Sequence, residues 1–133
     1  MNAAEEILRT CTTYALFGAS QDVLKYSYEL FHTLLEAGYT VYPVNPRYQR
    51  IDDHVCYPSL SALPAVPEVA ITALAPANTE KVLEDIAARG VHTVWMPPGS
   101  SSQAALAKCR ELGLKAVHDV CPVAMLRRMK PQR

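Results

Sequence analysis

A glycine, two small residues and a lysine form the clearest chemical pattern in the sequence. Gly18, Ala19 and Ser20 end an apolar run. Lys25 follows, just before an amphipathic segment that begins near Ser27. Glycine lets backbone approach a ligand, a helix start attracts anions, and a lysine ammonium reaches a pyrophosphate as a point charge. The pattern indicates a phosphate site, and it fits a simple tight turn between strand and helix equally well.

A second pattern follows the next apolar run, "TVYPVNPR". Dehydrogenases that bind a dinucleotide carry G-x-G-x-x-G and an acidic residue about 20 positions later. Here the second and third glycines are missing, and Asn45 and Arg47 stand where the acidic residue belongs. A guanidinium pairs well with a phosphate on a ribose. The pattern therefore favours coenzyme A, with its 3′-phosphate, or NADP, with its 2′-phosphate, over NAD.

A third pattern, His118, Asp119 and Cys121, follows a short apolar run near the end of the chain. Cys121 precedes a proline that suits the first position of a helix, and a helix start favours a thiolate. Cys121 is therefore a candidate nucleophile or redox-sensitive thiol. The structural alternative is a small packed cysteine, with Asp119 as a helix cap. No cysteine and histidine spacing fits a metal site, so we expect no metal, and no other pattern suggests catalysis, which favours a binding protein over an enzyme.

The elements that position these residues alternate between strand and helix. Helices are predicted from Asn2, from near Ser27 to Gly38, from a cap at Asn78 to Gly90, from a capping box of Ser100 and Gln103 to Gly113, and from Pro122. The predicted strands are "TTYALF", "TVYPV", "EVAITAL", "VHTVWM" and "LKAV". Residues 47–67 are expected to be irregular.

This alternation predicts an α/β fold with a doubly wound, mainly parallel, five-stranded Rossmann-like sheet and helices on both faces. Ligands of such sheets bind beyond the carboxyl ends of the strands, where the strand order reverses. We expect one domain over residues 1–133, with its core at about 5–129.

The composition limits the classes of function. The chain has 13 basic and 13 acidic residues, which argues against a surface for nucleic acid or anionic membranes. No apolar run reaches the length of about 18 residues that a membrane helix needs, and the first residues do not resemble a signal peptide. Four cysteines without a pairing motif fit a cytoplasmic protein with reduced thiols.

Longer segments carry a family resemblance. The pieces "GAS", "KYS", "GYTVYPVNP", "VCYPSLSALP", "VHTVWMPPG" and "GLKAVHDVCP" resemble the small stand-alone coenzyme-A-binding domain proteins. These are Rossmann-like and similar to the CoA-binding domain of the succinyl-CoA synthetase α subunit. The resemblance implies CoA binding by the first loop and neighbouring strand ends, through Gly18, Ala19, Ser20, Lys25, Pro43, Asn45, Pro46, Ala75, Pro76 and the stretch Trp95 to Gly99 with Pro97.

The sequence therefore predicts a small protein that binds coenzyme A or an acyl-CoA through the Gly18 loop. Neither nucleic acid nor a membrane is expected as a partner, and a protein partner is left open. An NADP-dependent oxidoreductase and a nucleotide-sensing protein-interaction module are the alternatives. The fold alone does not choose among them.

Overall fold

The computed structural model describes residues 2–129, so the ends of the predicted domain lie outside it. The helices are α1 Ala3–Thr10, α2 Tyr26–Glu36, α3 Pro76–Ala88, α4 Gln103–Leu112 and α5 Pro122–Met129, with a 3₁₀ turn at Leu60–Ala62. The strands are β1 Thr13–Phe17, β2 Thr40–Val44, β3 Arg50–Ile51, β4 His54–Val55, β5 Val69–Thr72, β6 Thr93–Met96 and β7 Lys115–His118. Among the described helices, none combines the length and the apolar character that a membrane crossing requires.

The main sheet confirms the predicted α/β architecture. Its five strands run in the order β2-β1-β5-β6-β7, and every neighbouring pair is parallel. The strand after β1 in the chain lies on one side of it, and β5 lies on the other. The order therefore reverses at β1 and β5, which is the place where a sheet of this kind leaves a crevice.

Each face of the sheet has its own apolar core, because alternate strand residues point to opposite faces. Tyr14 and Leu16 of β1 point to the face covered by α1, α2 and α5. Ala15 and Phe17 point to the face covered by α3 and α4. Since helices cover both faces, the predicted double winding is confirmed.

The helices α2 and α4 begin close to their predicted starts, but two predicted caps are wrong. Helix α3 begins at Pro76 with Ala75 as its N-cap, so Asn78 lies inside the first turn. Proline already has the backbone angle of a first helical residue, which explains the earlier start. The cap of α4 is Ser102, whose side chain accepts from the Ala105 N–H at 3.0 Å, while Ser100 is buried two residues earlier.

Residues 47–67 are more regular than predicted. The strands β3 and β4 form an antiparallel hairpin, and the 3₁₀ turn follows. Asp52 at the hairpin turn accepts from the Tyr28 hydroxyl at 2.9 Å, and its carboxylate lies 2.8 Å from His32 Nε2. These contacts join the hairpin to α2, so contacts distant in sequence support these short strands.

Candidate functional site

A cavity of about 330 Å³ opens at the carboxyl edge of the sheet, at the reversal of strand order. Three loops and the start of α2 form its wall. The loop after β1 contributes Gly18 and Lys25, and α2 contributes Tyr26 and Ser27. The loops after β5 and β6 contribute Ala73, Leu74, Ala75, Pro97, Pro98, Gly99 and Ser100.

The cavity brings together only some of the residues that the sequence singled out. Five of the residues named singly line it, namely Gly18, Lys25, Ala75, Pro97 and Gly99, and so does Pro98 of the stretch Trp95 to Gly99. Seven are not part of the lining, namely Ala19, Ser20, Pro43, Asn45, Pro46, Arg47 and Pro76. Sequence reasoning did not assign Tyr26 or Ser27 to the site, although both directly follow Lys25.

Gly18 has a structural reason to be glycine. Its φ is +80°, and a Cβ added there would lie 2.2 Å from the carbonyl oxygen of Ala73. No side chain fits at that distance, so the loops after β1 and β5 pack backbone against backbone. The glycine thereby brings two walls of the cavity together, whereas the sequence suggested that its space was kept for the ligand.

Several predicted residues support the first loop. Ser20 is buried, and its Oγ accepts from the Asp22 N–H at 3.0 Å. The Asn45 side chain donates to the Ala19 carbonyl at 2.8 Å and accepts from the Arg47 N–H at 2.9 Å. Asn45, directly after β2, therefore supports the loop after β1 by a hydrogen bond and does not line the cavity.

The start of α2 presents unpaired polar groups to the cavity. Lys25 precedes the helix and gives it no side-chain cap. Within residues 2–129, the backbone N–H groups of Tyr26 and Ser27 have no acceptor, as expected at the beginning of a helix. Only 6% of Ser27 is exposed, and its hydroxyl has no hydrogen-bond partner in the same range. This combination is suited to an anion.

The start of α3 is also uncapped where it meets the cavity. Ala75 has no side-chain oxygen, so its side chain satisfies no N–H group of the first turn. Two other helices show the contrast. Asn2 caps α1 by accepting from the Glu5 N–H at 2.8 Å, and Ser102 caps α4. In α2 and α3 the third N–H group instead bonds to the backbone carbonyl of the N-cap residue, so among the described residues the free donors at these two starts are the N–H groups of Tyr26, Ser27 and Ala77.

The charge of the lining also favours an anion. Lys25 is its only charged residue, and no carboxylate lines the cavity. Deeper in the loops, the hydroxyls of Thr72 and Ser100 lie 3.4 Å apart, and both residues are buried. Helix dipoles and a lysine both favour negative charge. The cavity can therefore bind an anionic group by its backbone, one hydroxyl and one ammonium.

The residues after β7 lie on the same edge of the sheet. His118 Nδ1 is 2.7 Å from the Asp119 carboxylate, and Asp119 makes no cap to α5. The alternative of an Asp119 cap is therefore wrong. Cys121 Sγ lies 3.1 Å from the hydroxyl of Tyr26, which lines the cavity. In the part of the chain described, no three metal-ligating side chains come together.

A parallel Rossmann-like sheet with an anion-suited cavity at its switch point is the arrangement of a nucleotide-binding α/β domain. The profile of the CoA binding domain family matches residues 12–127. The chain belongs to this family, and the predicted family membership is confirmed.

Known relatives share both sequence and fold. The chain is 32% identical over 79 residues to "Acetate--CoA ligase [ADP-forming] II" of Archaeoglobus fulgidus; the match spans 58% of this chain and 12% of that protein. A hypothetical protein from Pyrococcus horikoshii superposes with a TM-score of 0.90 at 32% identity, covering 95% of this chain and 89% of that one. The dinucleotide-forming acetyl-coenzyme A synthetase 1 of Candidatus Korarchaeum cryptofilum shares the fold, with a TM-score of 0.75 at 23% identity, over 86% of this chain and 27% of that one.

Proposed function

We propose that this protein binds coenzyme A or an acyl-CoA in the cavity at the carboxyl edge of the sheet. The observation that carries the proposal is the start of α2 in the cavity wall, where the N–H groups of Tyr26 and Ser27 are free, within the described part of the chain, beside Lys25, the only charged residue of the lining. Free N–H groups at a helix start attract an anion, and a neighbouring ammonium adds positive charge, so this wall supports a phosphate-bearing ligand. Membership of the CoA binding domain family supports CoA as that ligand.

The pyrophosphate of CoA is assigned to the start of α2. The Tyr26 and Ser27 N–H groups, the Ser27 hydroxyl and the Lys25 ammonium would contact its oxygens. Charge-assisted bonds of this type are shorter and stronger than neutral ones. The Gly18 loop and the start of α3 would close around the same group from the other side.

The 3′-phosphate is assigned to Arg47, in the linker after β2. Its side chain has no ion-pair partner within residues 2–129, and it is exposed. The Asn45 side chain accepts a hydrogen bond from the Arg47 backbone N–H, and this bond fixes the backbone from which the guanidinium extends. A 2′-phosphate of NADP is the alternative occupant of this position.

Calorimetric titration with CoA, dephospho-CoA, NADP and NAD tests the proposal. We expect CoA to bind most tightly, dephospho-CoA to bind more weakly because it lacks the 3′-phosphate, and NAD to bind least. Equal affinity for CoA and dephospho-CoA would remove the role of Arg47. Tighter binding of NADP or NAD than of CoA would overturn the proposed ligand.

Two substitutions test the phosphate contacts. Ser27→Ala and Lys25→Ala should each weaken CoA binding by about 1–3 kcal/mol, as the loss of a charge-assisted hydrogen bond does. Lys115→Ala and Ser61→Ala are the matched controls, because Lys115 lies at the opposite edge of the sheet and Ser61 is an exposed serine of the 3₁₀ turn. Equal effects in both pairs would contradict the assigned contacts.

A second candidate function, a nucleotide-dependent protein interaction, has one observation in its favour. Val23 and Leu24 precede Lys25 and are 67% and 91% exposed, although both are apolar. Leu24→Ser distinguishes the cases by CoA titration. Loss of CoA affinity would mean that Leu24 covers the bound ligand, whereas unchanged affinity would leave this loop as a surface for a protein partner.

A further inference from the structure

Tyr26 connects the cavity to a thiol outside its lining. The residue is the first of α2 and lines the cavity, and 38% of it is exposed. Its hydroxyl lies 3.1 Å from Cys121 Sγ, across the contact between α2 and α5. The sulfur is therefore one side chain away from the place assigned to the ligand.

The surroundings of this sulfur suit negative charge. Cys121 immediately precedes Pro122, the first residue of α5, and its Sγ accepts from the Ala124 N–H at 3.5 Å. Desolvation by burial, followed by the hydrogen bond with Cys121, raises the pKa of Tyr26 far above its ordinary value. The phenol therefore stays protonated and can donate to a thiolate.

An independent feature of the same wall points to a ligand beside this thiol. Ser27, the residue after Tyr26, is more than nine-tenths buried, and its hydroxyl faces the cavity without a partner among the described residues. A ligand that satisfies Ser27 also lies against Tyr26. The Cys121 sulfur, 3.1 Å from the Tyr26 hydroxyl, is then close to the ligand.

The other cysteines lack this combination. Cys56 and Cys109 are buried, and burial raises the pKa of both thiols, which disfavours the reactive thiolate. Cys11 is partly buried, but it precedes β1 and so lies at the amino end of the sheet. Cys121 follows β7 at the carboxyl end, on the side of the cavity.

We infer that Cys121 forms a mixed disulfide with CoA, by thiol–disulfide exchange with a CoA disulfide held in the cavity. The inference rests on the proposed function. The Cys121 thiolate attacks one sulfur of a CoA disulfide, the sulfur–sulfur bond of that disulfide breaks, and a new bond joins Cys121 to CoA. The second CoA leaves as a thiolate and takes up the proton that Cys121 released. The CoA disulfide is the oxidant, so the step needs no other electron acceptor.

The experiment incubates the reduced full chain with increasing CoA disulfide and follows the protein mass, with the modified peptide mapped by proteolysis. We expect one CoA adduct, on Cys121, at a rate that saturates with concentration. At low concentration it should form about tenfold or more faster than the adduct with glutathione disulfide, since binding raises the local concentration of the reagent. Tyr26→Phe should lower the saturating rate several-fold because the donor to sulfur is lost.

The variants and a second titration separate the possible failures. Cys121→Ser should abolish the adduct, and Cys11→Ser should leave it unchanged. An adduct on another cysteine, or equal rates with CoA and glutathione disulfides, would overturn the inference. If the reduced protein binds CoA in calorimetry and Cys121 does not react, this inference fails alone. If CoA does not bind at all, the proposed function fails first.

Discussion

At the scale of single residues, the walls of the cavity depend on the space around two glycines. Both Gly18 and Gly99 have positive φ, at +80° and +88°. A Cβ at Gly18 meets the Ala73 carbonyl at 2.2 Å, whereas a Cβ at Gly99 meets no atom within 4 Å. The strain of the backbone angle is common to both positions, and the steric clash belongs to Gly18 alone.

Gly18→Ala should therefore destabilise the protein by about 2–4 kcal/mol, from the left-handed backbone and the displaced loop after β5 together. Gly99→Ala is the matched control and should cost only about 1 kcal/mol. Urea denaturation of both variants measures the difference. Equal losses would show that the Gly18 loop yields freely, and that close packing of the two loops is not required.

Sequence reasoning recovered the residues of the site unevenly, and the reasons are physical. Gly18 and Lys25 were found because a glycine after a strand and a lysine before a helix have local meaning. Ser27 was not assigned to the site, since its burial and its place in the cavity wall depend on groups that are far away in sequence. Asn45 was assigned to the ligand, but its side chain supports the loop at Ala19 and Arg47.

At the scale of the elements, the helices in the cavity wall lack side-chain caps, which lowers the stability of the free protein but leaves N–H groups available to a ligand. Ala75→Ser supplies a hydroxyl where α3 has none, and it adds no charge. We expect the free protein to gain about 1 kcal/mol of stability, as serine at an N-cap does relative to alanine. We also expect CoA to bind less tightly, because the new hydroxyl takes a donor that the ligand would use. Denaturation and calorimetry measure the two effects.

Asn2→Ala provides the comparison at a helix outside the cavity wall. It removes the cap of α1, in which Asn2 accepts from the Glu5 N–H. Stability should fall by about 1 kcal/mol while CoA affinity stays the same. If Ala75→Ser raised stability and left CoA affinity unchanged, the start of α3 would have no part in the binding site.

The amino end of the sheet has a pH-dependent contact of its own. Glu68 Oε1 accepts from the backbone N–H groups of Thr12 and Thr13 at 2.8 and 3.2 Å. These bonds lower the pKa of the Glu68 carboxyl, and the bond from the Thr12 N–H has the largest effect. A lowered pKa means that the stabilisation is present above the unfolded pKa, near 4.3, and is lost as pH falls through the folded value.

Glu68→Gln should consequently reduce stability at neutral pH by about 1 kcal/mol, a modest value because the residue is exposed. The difference in stability between wild type and variant should narrow as the pH drops below the unfolded pKa, near 4.3, and through the lowered pKa of the folded protein. Urea denaturation of both proteins at a series of pH values from about 7 to about 3 measures this difference in the free energy of unfolding. A gap that is constant over this range would show that the carboxylate charge contributes nothing.

The main sheet and the hairpin show which elements a sequence can reveal. Strands of four or five mainly apolar residues, separated by amphipathic helices, predicted the parallel sheet and its crevice. The two-residue strands β3 and β4 carry no comparable pattern. The contacts of Asp52 with Tyr28 and His32 hold the hairpin to α2, and such contacts become visible only after folding.

At the scale of the whole molecule, the proposed ligand joins the two faces of the sheet. The cavity lies between the starts of α2 and α3, and these helices cover opposite faces with separate apolar cores. A ligand held by both helix starts binds only the folded arrangement, so its binding energy adds to the stability of the entire domain.

Hydrogen exchange measured with and without CoA tests this coupling. With free CoA at about 100 times its dissociation constant, the free energy of unfolding should rise by about 2.7 kcal/mol. We expect the amides of the central strands β1, β5 and β6 to exchange only on global unfolding, so they should all slow by about a hundredfold. Amides at the starts of α2 and α3 should also gain protection, because the ligand contacts them directly. The last turn of α4 does not line the cavity, so its exchange by local opening should not change. Slowing confined to the α2 face would show that the ligand does not bridge the two helices.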